Sequence, residues 1–190
     1  MNPPKVQIHL LPGGIMPDRK STGAAGYDVA IRAVVSSSEM DPKNKAFRRV
    51  LFDFASPPED PNISPKVHNL SDGLVYRMDP EESVLVGIGF ATVMPPDMFY
   101  WIAPRSGLAS RWGITVTNAP GTVDSDYRGE AGVLVYNRNK TPFDLRRGMR
   151  IAQILFQYAY FPEFEAIANH ADLVATERGA GGFGSTGLRS

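Results

Sequence analysis

Eighteen glycines and 16 prolines are spread along the 190 residues of this chain. They cut it into segments too brief for many helices. The stretches between them favour strands: VQIHLLP (6–12), YDVAIRAVV (27–35), SVLVGIGFATV (83–93), MFYWIA (98–103), GITVT (113–117), GVLVYN (132–137) and IAQILFQYAY (151–160). Several alternate with period two, as half-buried strands do. The best helix candidate is a short turn at 106–112, just after Pro104. Many short strands joined by turns point to a β-sandwich or barrel.

Composition narrows the chemistry. The chain is 43% apolar, enough for one core without disulfides or metals. Twenty basic residues balance 20 acidic ones. A large basic footprint, and with it stable nucleic-acid binding, is not expected. No cysteine is present, which excludes thiolate metal sites and a thiol nucleophile. The three histidines (9, 68 and 170) lack ligand-like spacing. No apolar run approaches the roughly 18 residues of a membrane span, and the first residues lack a secretory pattern. The expectation is a soluble protein of the cytoplasm, or of the host cell's cytoplasm or nucleus if its source is viral.

Two stretches stand apart. Residues 36–72 are polar, broken by five prolines, and hold one apolar island, FRRVLFDF (47–54). They read as an insertion, a surface loop carrying an extra strand or hairpin and offering a candidate protein-contact surface. Residues 176–190, TERGAGGFGSTGLRS, have almost nothing to bury and read as a Gly-rich arm beyond a domain of residues 1–175.

Four patterns could carry chemistry. The arm's glycines let backbone N–H groups approach anionic oxygens. Ser185 and Thr186 add hydroxyls, Arg178 a fixed charge, and Phe183 a ring for stacking. The bland alternative is a tail with no role. Pro104-Arg105-Ser106-Gly107 places a guanidinium and a hydroxyl where a strand enters a helix, a plausible phosphate site; the alternative is a Ser cap beside a surface Arg. In Gly121-Thr122-Val123-Asp124-Ser125-Asp126-Tyr127-Arg128-Gly129-Glu130, one of two carboxylates could activate a water, although Asp-Ser-Asp is also ordinary turn chemistry. Asp28 in Gly26-Tyr27-Asp28 reads by itself as a turn residue.

Their order is more specific than any one of them. GAAGYDVA, PRSGLA, GTVDSDYRGE, GMRIAQILF and RGAGGFGSTG resemble, in that order, the five sequence motifs of the homotrimeric dUTPases. The resemblance runs from about residue 6 to 187, leaving out 36–72. It implies an all-β, antiparallel jelly-roll-like barrel, assembled as a homotrimer whose active sites are shared between chains. The implied reaction is hydrolysis of dUTP to dUMP and pyrophosphate, which keeps uracil out of DNA and supplies dUMP for thymidylate synthesis.

By the same resemblance, Asp124 holds the water that attacks the α-phosphorus in line. Tyr127 lies under the deoxyribose, and Asn118 helps to read the uracil within a hairpin kept compact by Gly121. Arg105, Ser106 and Gly107 form the phosphate-binding motif, and Gln153 donates to a phosphate or orders water. Asp28 accepts from waters on a Mg2+ ion carried by the phosphates. Phe183 caps the uracil while Arg178, Gly184, Ser185 and Thr186 belong to the clamp on the phosphates. The related dCTP deaminases carry a catalytic Glu where this chain has Leu134, so deamination is disfavoured. A docking module with nucleotide as a switch is the non-enzymatic alternative.

Overall fold

A computed structural model describes residues 3–181. In chain order the first strands are β1 (Gln7–Leu10), β2 (Tyr27–Ala30), β3 (Ala33–Met40), β4 (Arg48–Phe52), β5 (Val67–Leu70), β6 (Gly73–Met78) and β7 (Ser83–Gly87). Then follow β8 (Phe90–Val93), β9 (Met98–Pro104), helix α1 (Ser106–Trp112), β10 (Ile114–Val116), β11 (Gly121–Val123), β12 (Gly132–Asn137), β13 (Phe143–Leu145) and β14 (Arg150–Tyr158). All pairings between these strands are antiparallel.

The strands form four sheets, ordered β10-β12-β7-β3-β4, β11-β9-β14-β2, β13-β6-β5 and β1-β8. One core lies between them. Along β12, Val133, Val135 and Asn137 are buried while the residues between them are partly exposed. Along β9, Met98, Tyr100 and Ile102 face inward. This period-two alternation is what one buried sheet face demands. The result is the all-β, jelly-roll-like fold expected, and α1 occupies the residues read as a helix.

Two expected strands are each broken in two. Residues 27–35 divide into β2 and β3, with Ile31 and Arg32 between them. Residues 83–93 divide into β7 and β8 at Ile88 and Gly89. In both places the chain leaves one sheet for another. Gly89 takes φ +78°, a left-handed backbone that suits glycine. Sequence periodicity cannot register such a break, because apolar residues continue through it.

The same two breaks are bound together by one buried ion pair. Arg32 donates to both carboxylate oxygens of Glu130, at 2.8 and 2.6 Å. The Gly89 N–H donates to Glu130 at 2.8 Å. The Glu130 side chain is 2% exposed and that of Arg32 12%. Gly87 leaves room for the carboxylate, since a Cβ there would lie 2.4 Å from a Glu130 oxygen.

Residues 36–72, read as a surface loop carrying an extra strand or hairpin, hold strands that pack onto the barrel. β3 extends to Met40 and pairs with β4, and β5 pairs with β6. Phe52 and Phe54 are buried in the core with their rings 4.5 Å apart. Burial of those two rings ties the segment to the barrel; most of the polar residues around them are exposed. The compact body ends at Ala159, and a second unit begins at Tyr160, earlier than the boundary drawn at 175. Up to Gly181 that unit has no strand, and Tyr160, Phe161 and Phe164 are exposed.

Removing one partner of the buried pair leaves the other charge without compensation. Arg32→Ala should cost about 3–5 kcal/mol of stability. Urea unfolding at pH 7 measures it, and a loss below about 1 kcal/mol would show that the pair is not an anchor.

Candidate active site

Most of the motif residues fall into two groups toward opposite ends of β9. At its C-terminal end, Asp28 on β2 faces Gln153 on β14 across the ladder, and Gln153 in turn faces Ala103 on β9. Asp28 accepts from Arg105 Nε at 3.0 Å and from Arg150 Nη1 at 2.7 Å. Its side chain is 15% exposed. Arg105 also donates to the Arg150 carbonyl at 2.9 Å. Gln153 donates to the Pro104 carbonyl at 3.0 Å. Gly26 has a steric reason: a Cβ there would lie 2.3 Å from Gln153 Oε1.

Arg150 reaches Asp28 because β14 bulges. The register with β2 shifts between Arg150 and Ala152, so that Ile151 and Ala152 are both buried. A bulge of this kind re-aims the side chain beside it. Ser106 and Gly107 follow at the start of α1 and are exposed. The capping position is Arg105 and carries no side-chain cap bond, so the reading of Ser106 as a cap does not hold.

A cavity of about 800 Å³ opens beside this group. Arg77, Arg105, Arg146 and Arg150 line it, with Asp144 as the lining carboxylate. Arg77 holds Asp144 through two contacts of 2.7 and 2.9 Å. The hydrogen bond from Arg77 lowers the Asp144 carboxyl below the usual carboxylate range. Trp112 borders the same cavity, 55% exposed and tilted against Phe143. Arg146 pairs with Asp72 at 2.6 Å, so the four guanidiniums share three carboxylates, Asp144, Asp72 and Asp28, and one positive charge is left over to favour an anion.

The second group sits at the other end. β11 pairs Val123 with Tyr100, so Asp124 emerges beside Phe99. Ser125 donates to the Pro96 carbonyl at 3.3 Å. The Tyr127 N–H donates to the Asp124 carbonyl at 3.2 Å, closing the turn. The Tyr127 hydroxyl donates to the Glu130 carbonyl at 3.1 Å. Gly129 lies under that hydroxyl, where a Cβ would come within 2.4 Å. The buried ion pair therefore anchors the last residue of the acidic turn. Asp124 itself is exposed, on a cleft of about 250 Å³ that Tyr127 and Glu130 also line. Burial pushes the neighbouring Tyr100 phenol up to about 12, so it stays protonated at neutral pH. Asn118 and Gly121 close the preceding hairpin, nearer the Arg105 end, since Gly121 pairs with Ile102; a Cβ on Gly121 would lie 3.2 Å from the Asn118 amide.

Within one chain the two groups do not meet. Phe99 on β9 and Arg105 just beyond it are six positions apart. At the rise of a strand that is about 20 Å. In the second unit, Arg178 is exposed and donates to the Gly181 carbonyl at 2.9 Å. Phe183, Gly184, Ser185 and Thr186 lie outside the described residues. Among the described residues no cluster of three His, Asp or Glu could cage a metal, and no helix is long and apolar enough to cross a membrane. Asp28 offers one carboxylate, the group type that accepts from metal-bound water, and both of its oxygens are held here by Arg105 and Arg150.

The dUTPase family model matches residues 71–187. The chain belongs to the dUTPase family. Deoxyuridine 5'-triphosphate nucleotidohydrolase of Heliobacterium modesticaldum is 36% identical over 188 residues, 98% of each chain. The enzyme of the same name from Methylocella silvestris is 48% identical over 119 residues, 62% of this chain and 72% of its own. A dUTPase of Staphylococcus bacteriophage 80alpha, solved with dUpNHpp, superposes with a TM-score of 0.69 at 18% identity, covering 97% of this chain and 99% of its own. The dUTPase from phage phi11 of S. aureus, whose structure visualises a species-specific insert, gives 0.61 at 16% identity, covering 89% and 99%. These two structures support the family fold.

The sequence motifs do not single out Arg150, Arg77 or the Arg32–Glu130 pair. Arg150 is visible only as part of GMRIAQILF, and the other contacts join residues 67 and 98 positions apart.

Asp144 supplies a pH test with a defined sign. Its carboxyl is lowered in the folded state. The stability it contributes is complete above the unfolded value of about 4 and is lost as pH falls through the lower folded value. Asp144→Asn should therefore be less stable than the parent at pH 7, with the difference shrinking below about pH 4. Urea midpoints at pH 7 and pH 3 compare the two; an equal difference at both would refute the linkage.

Proposed function

We propose that this protein hydrolyses magnesium–dUTP to dUMP and pyrophosphate, in a site completed only when copies of the chain assemble. The observation that carries this reading is the separation along β9. An attacking water on Asp124 and a phosphate gripped by Arg105 and Ser106 must both lie within a few ångströms of one phosphorus. A gap of about 20 Å in one chain is therefore bridged by a second copy. Closed threefold symmetry would repeat that contact three times. Exposed Tyr160, Phe161 and Phe164 support assembly, since such aromatics are commonly covered by a partner.

In the proposed mechanism, Asp124 orients a water and takes its proton as the oxygen attacks the α-phosphorus. The α–β bridging oxygen leaves with pyrophosphate. The Ser106 hydroxyl and the Arg105 guanidinium, from a neighbouring copy, stabilise charge growing on that oxygen. Gln153 adds a donor, and Gly107 leaves space for the phosphate to approach. Magnesium carried by the triphosphate would neutralise part of its charge, and Asp28 would be the residue to accept from that ion's waters. The Asp28 carboxylate is already shared by two guanidiniums, so the arriving phosphates would compete for both arginines.

Tyr127 is held by its hydroxyl bond to Glu130, which fixes the ring. A ring so fixed can exclude a ribose 2′-hydroxyl by steric contact. Asn118 and the Gly121 hairpin would read uracil and exclude a thymine methyl. Arg178 and the residues beyond it, Phe183 to Thr186, would close over the ligand. Deamination remains disfavoured, because the position of the deaminases' Glu is occupied by Leu134, an apolar residue on β12.

Pyrophosphate release should be rapid from dUTP with Mg2+ and weak from dTTP, dCTP and UTP. Equal turnover of UTP would remove the role given to Tyr127. Asp124→Asn should lower turnover by roughly two or more orders of magnitude while dUTP still binds; normal turnover would sink the assignment. A single-chain mass at saturating dUTP, with full activity, would rule out the shared site. A chain ending before Arg178 should lose most activity, and normal turnover would make the arm a bystander.

A further inference from the structure

The segment 36–72 reaches the acidic turn. β4 begins at Arg48, and Arg48 lines the same cleft as Asp124 and Tyr127. The hairpin approaching it also touches that turn: a Cβ on Gly129 would lie 3.1 Å from the Ala46 carbonyl oxygen. The segment is thus a wall of the cleft.

The charge of Arg48 has no close carboxylate among the described residues. Its neighbour Arg49 pairs with Glu39 at 2.5 Å, on the surface. Arg48 instead donates through Nη1 to the Ser37 carbonyl at 2.7 Å and the Ser36 carbonyl at 3.4 Å. Those contacts hold the guanidinium in place and use one of its three nitrogens. The remaining N–H groups form a fork available to an anion. Glu130 on the same cleft is no counter-charge for it, because Arg32 already takes both its oxygens.

We propose that Arg48 is a substrate-contacting residue, donating to a non-bridging oxygen of the α-phosphate attacked from Asp124. This inference rests on the reading of Asp124 given above. During attack, charge builds on the non-bridging oxygens, and a preorganised donor aimed at them stabilises the transition state more than bound substrate. The segment then supplies chemistry as well as cover. The proton and leaving group follow the course already described, and Arg48 stays charged throughout.

Steady-state hydrolysis of magnesium–dUTP tests this with four variants whose folding is checked by circular dichroism. Arg48→Gln keeps a donor for the Ser37 carbonyl but removes the charge; its kcat should fall at least about tenfold, with KM changing less. Arg48→Lys should recover a large part of that loss, since it restores the charge. Arg49→Ala should match the parent. Arg48→Gln with parental kcat would overturn the proposal, and so would equal losses in Arg48→Gln and Arg48→Lys. Asp124→Asn, measured alongside, separates the two readings. Its normal turnover refutes the site itself, whereas an inactive Asp124→Asn beside a fully active Arg48→Gln refutes only the role of Arg48.

Discussion

The contact between Arg32 and Glu130 ties together three parts of the chain that are far apart in sequence. Arg32 lies in the break between β2 and β3, and Gly89 in the break between β7 and β8. Glu130 bonds to both, at the end of the acidic turn. Backbone bonds continue the tie, from Ala131 N–H to the Phe90 carbonyl and from Ile88 N–H to the Ala131 carbonyl. Buried charge is costly unless it is paired and fully bonded, and here the carboxylate has three donors. The turn that carries Asp124 is therefore fastened at its far end to two sheet crossings. A loop can present an exposed carboxylate with precision only when its ends are fixed in this way.

β9 sets the scale of the site. It joins β11 along one edge and β14 along the other, so each motif residue has a level on it. Asp124 stands beside Phe99, while Gln153 is opposite Ala103 and Arg105 comes just after the strand. A strand is too stiff to fold those levels onto one another. On the proposed reading, the same rigidity that keeps the half-sites apart in one chain makes them complementary between chains.

Much of this is legible in the order of the amino acids. Short apolar runs between glycines and prolines mark the strands β12 and β14 nearly to the residue, and SGLASRW forms α1. Motif order identifies the family. The strand breaks are not legible, because Ile31 and Ile88 keep an apolar pattern running through a change of sheet. Nor is the anchoring pair: Glu130 reads as the end of a turn, and its partner lies 98 residues away. Polarity misleads the reading of 36–72. Two buried phenylalanines integrate a segment whose average composition says surface.

A chain with no net charge can still hold strong local fields. Four arginines gather around the large cavity, and Asp28 serves two guanidiniums at once. One carboxylate cannot neutralise both, so an excess of positive charge remains where a triphosphate would bring several negative ones. On the proposed reading, Asp28 is a placeholder anion. It keeps Arg105 and Arg150 in place in the resting chain, which reduces the reorganisation needed on binding. If phosphate oxygens take over those arginines, the freed carboxylate is left facing the cation that the phosphates carry. On that reading, one aspartate would preorganise an anion site in one state and assist a hydrated metal in the next.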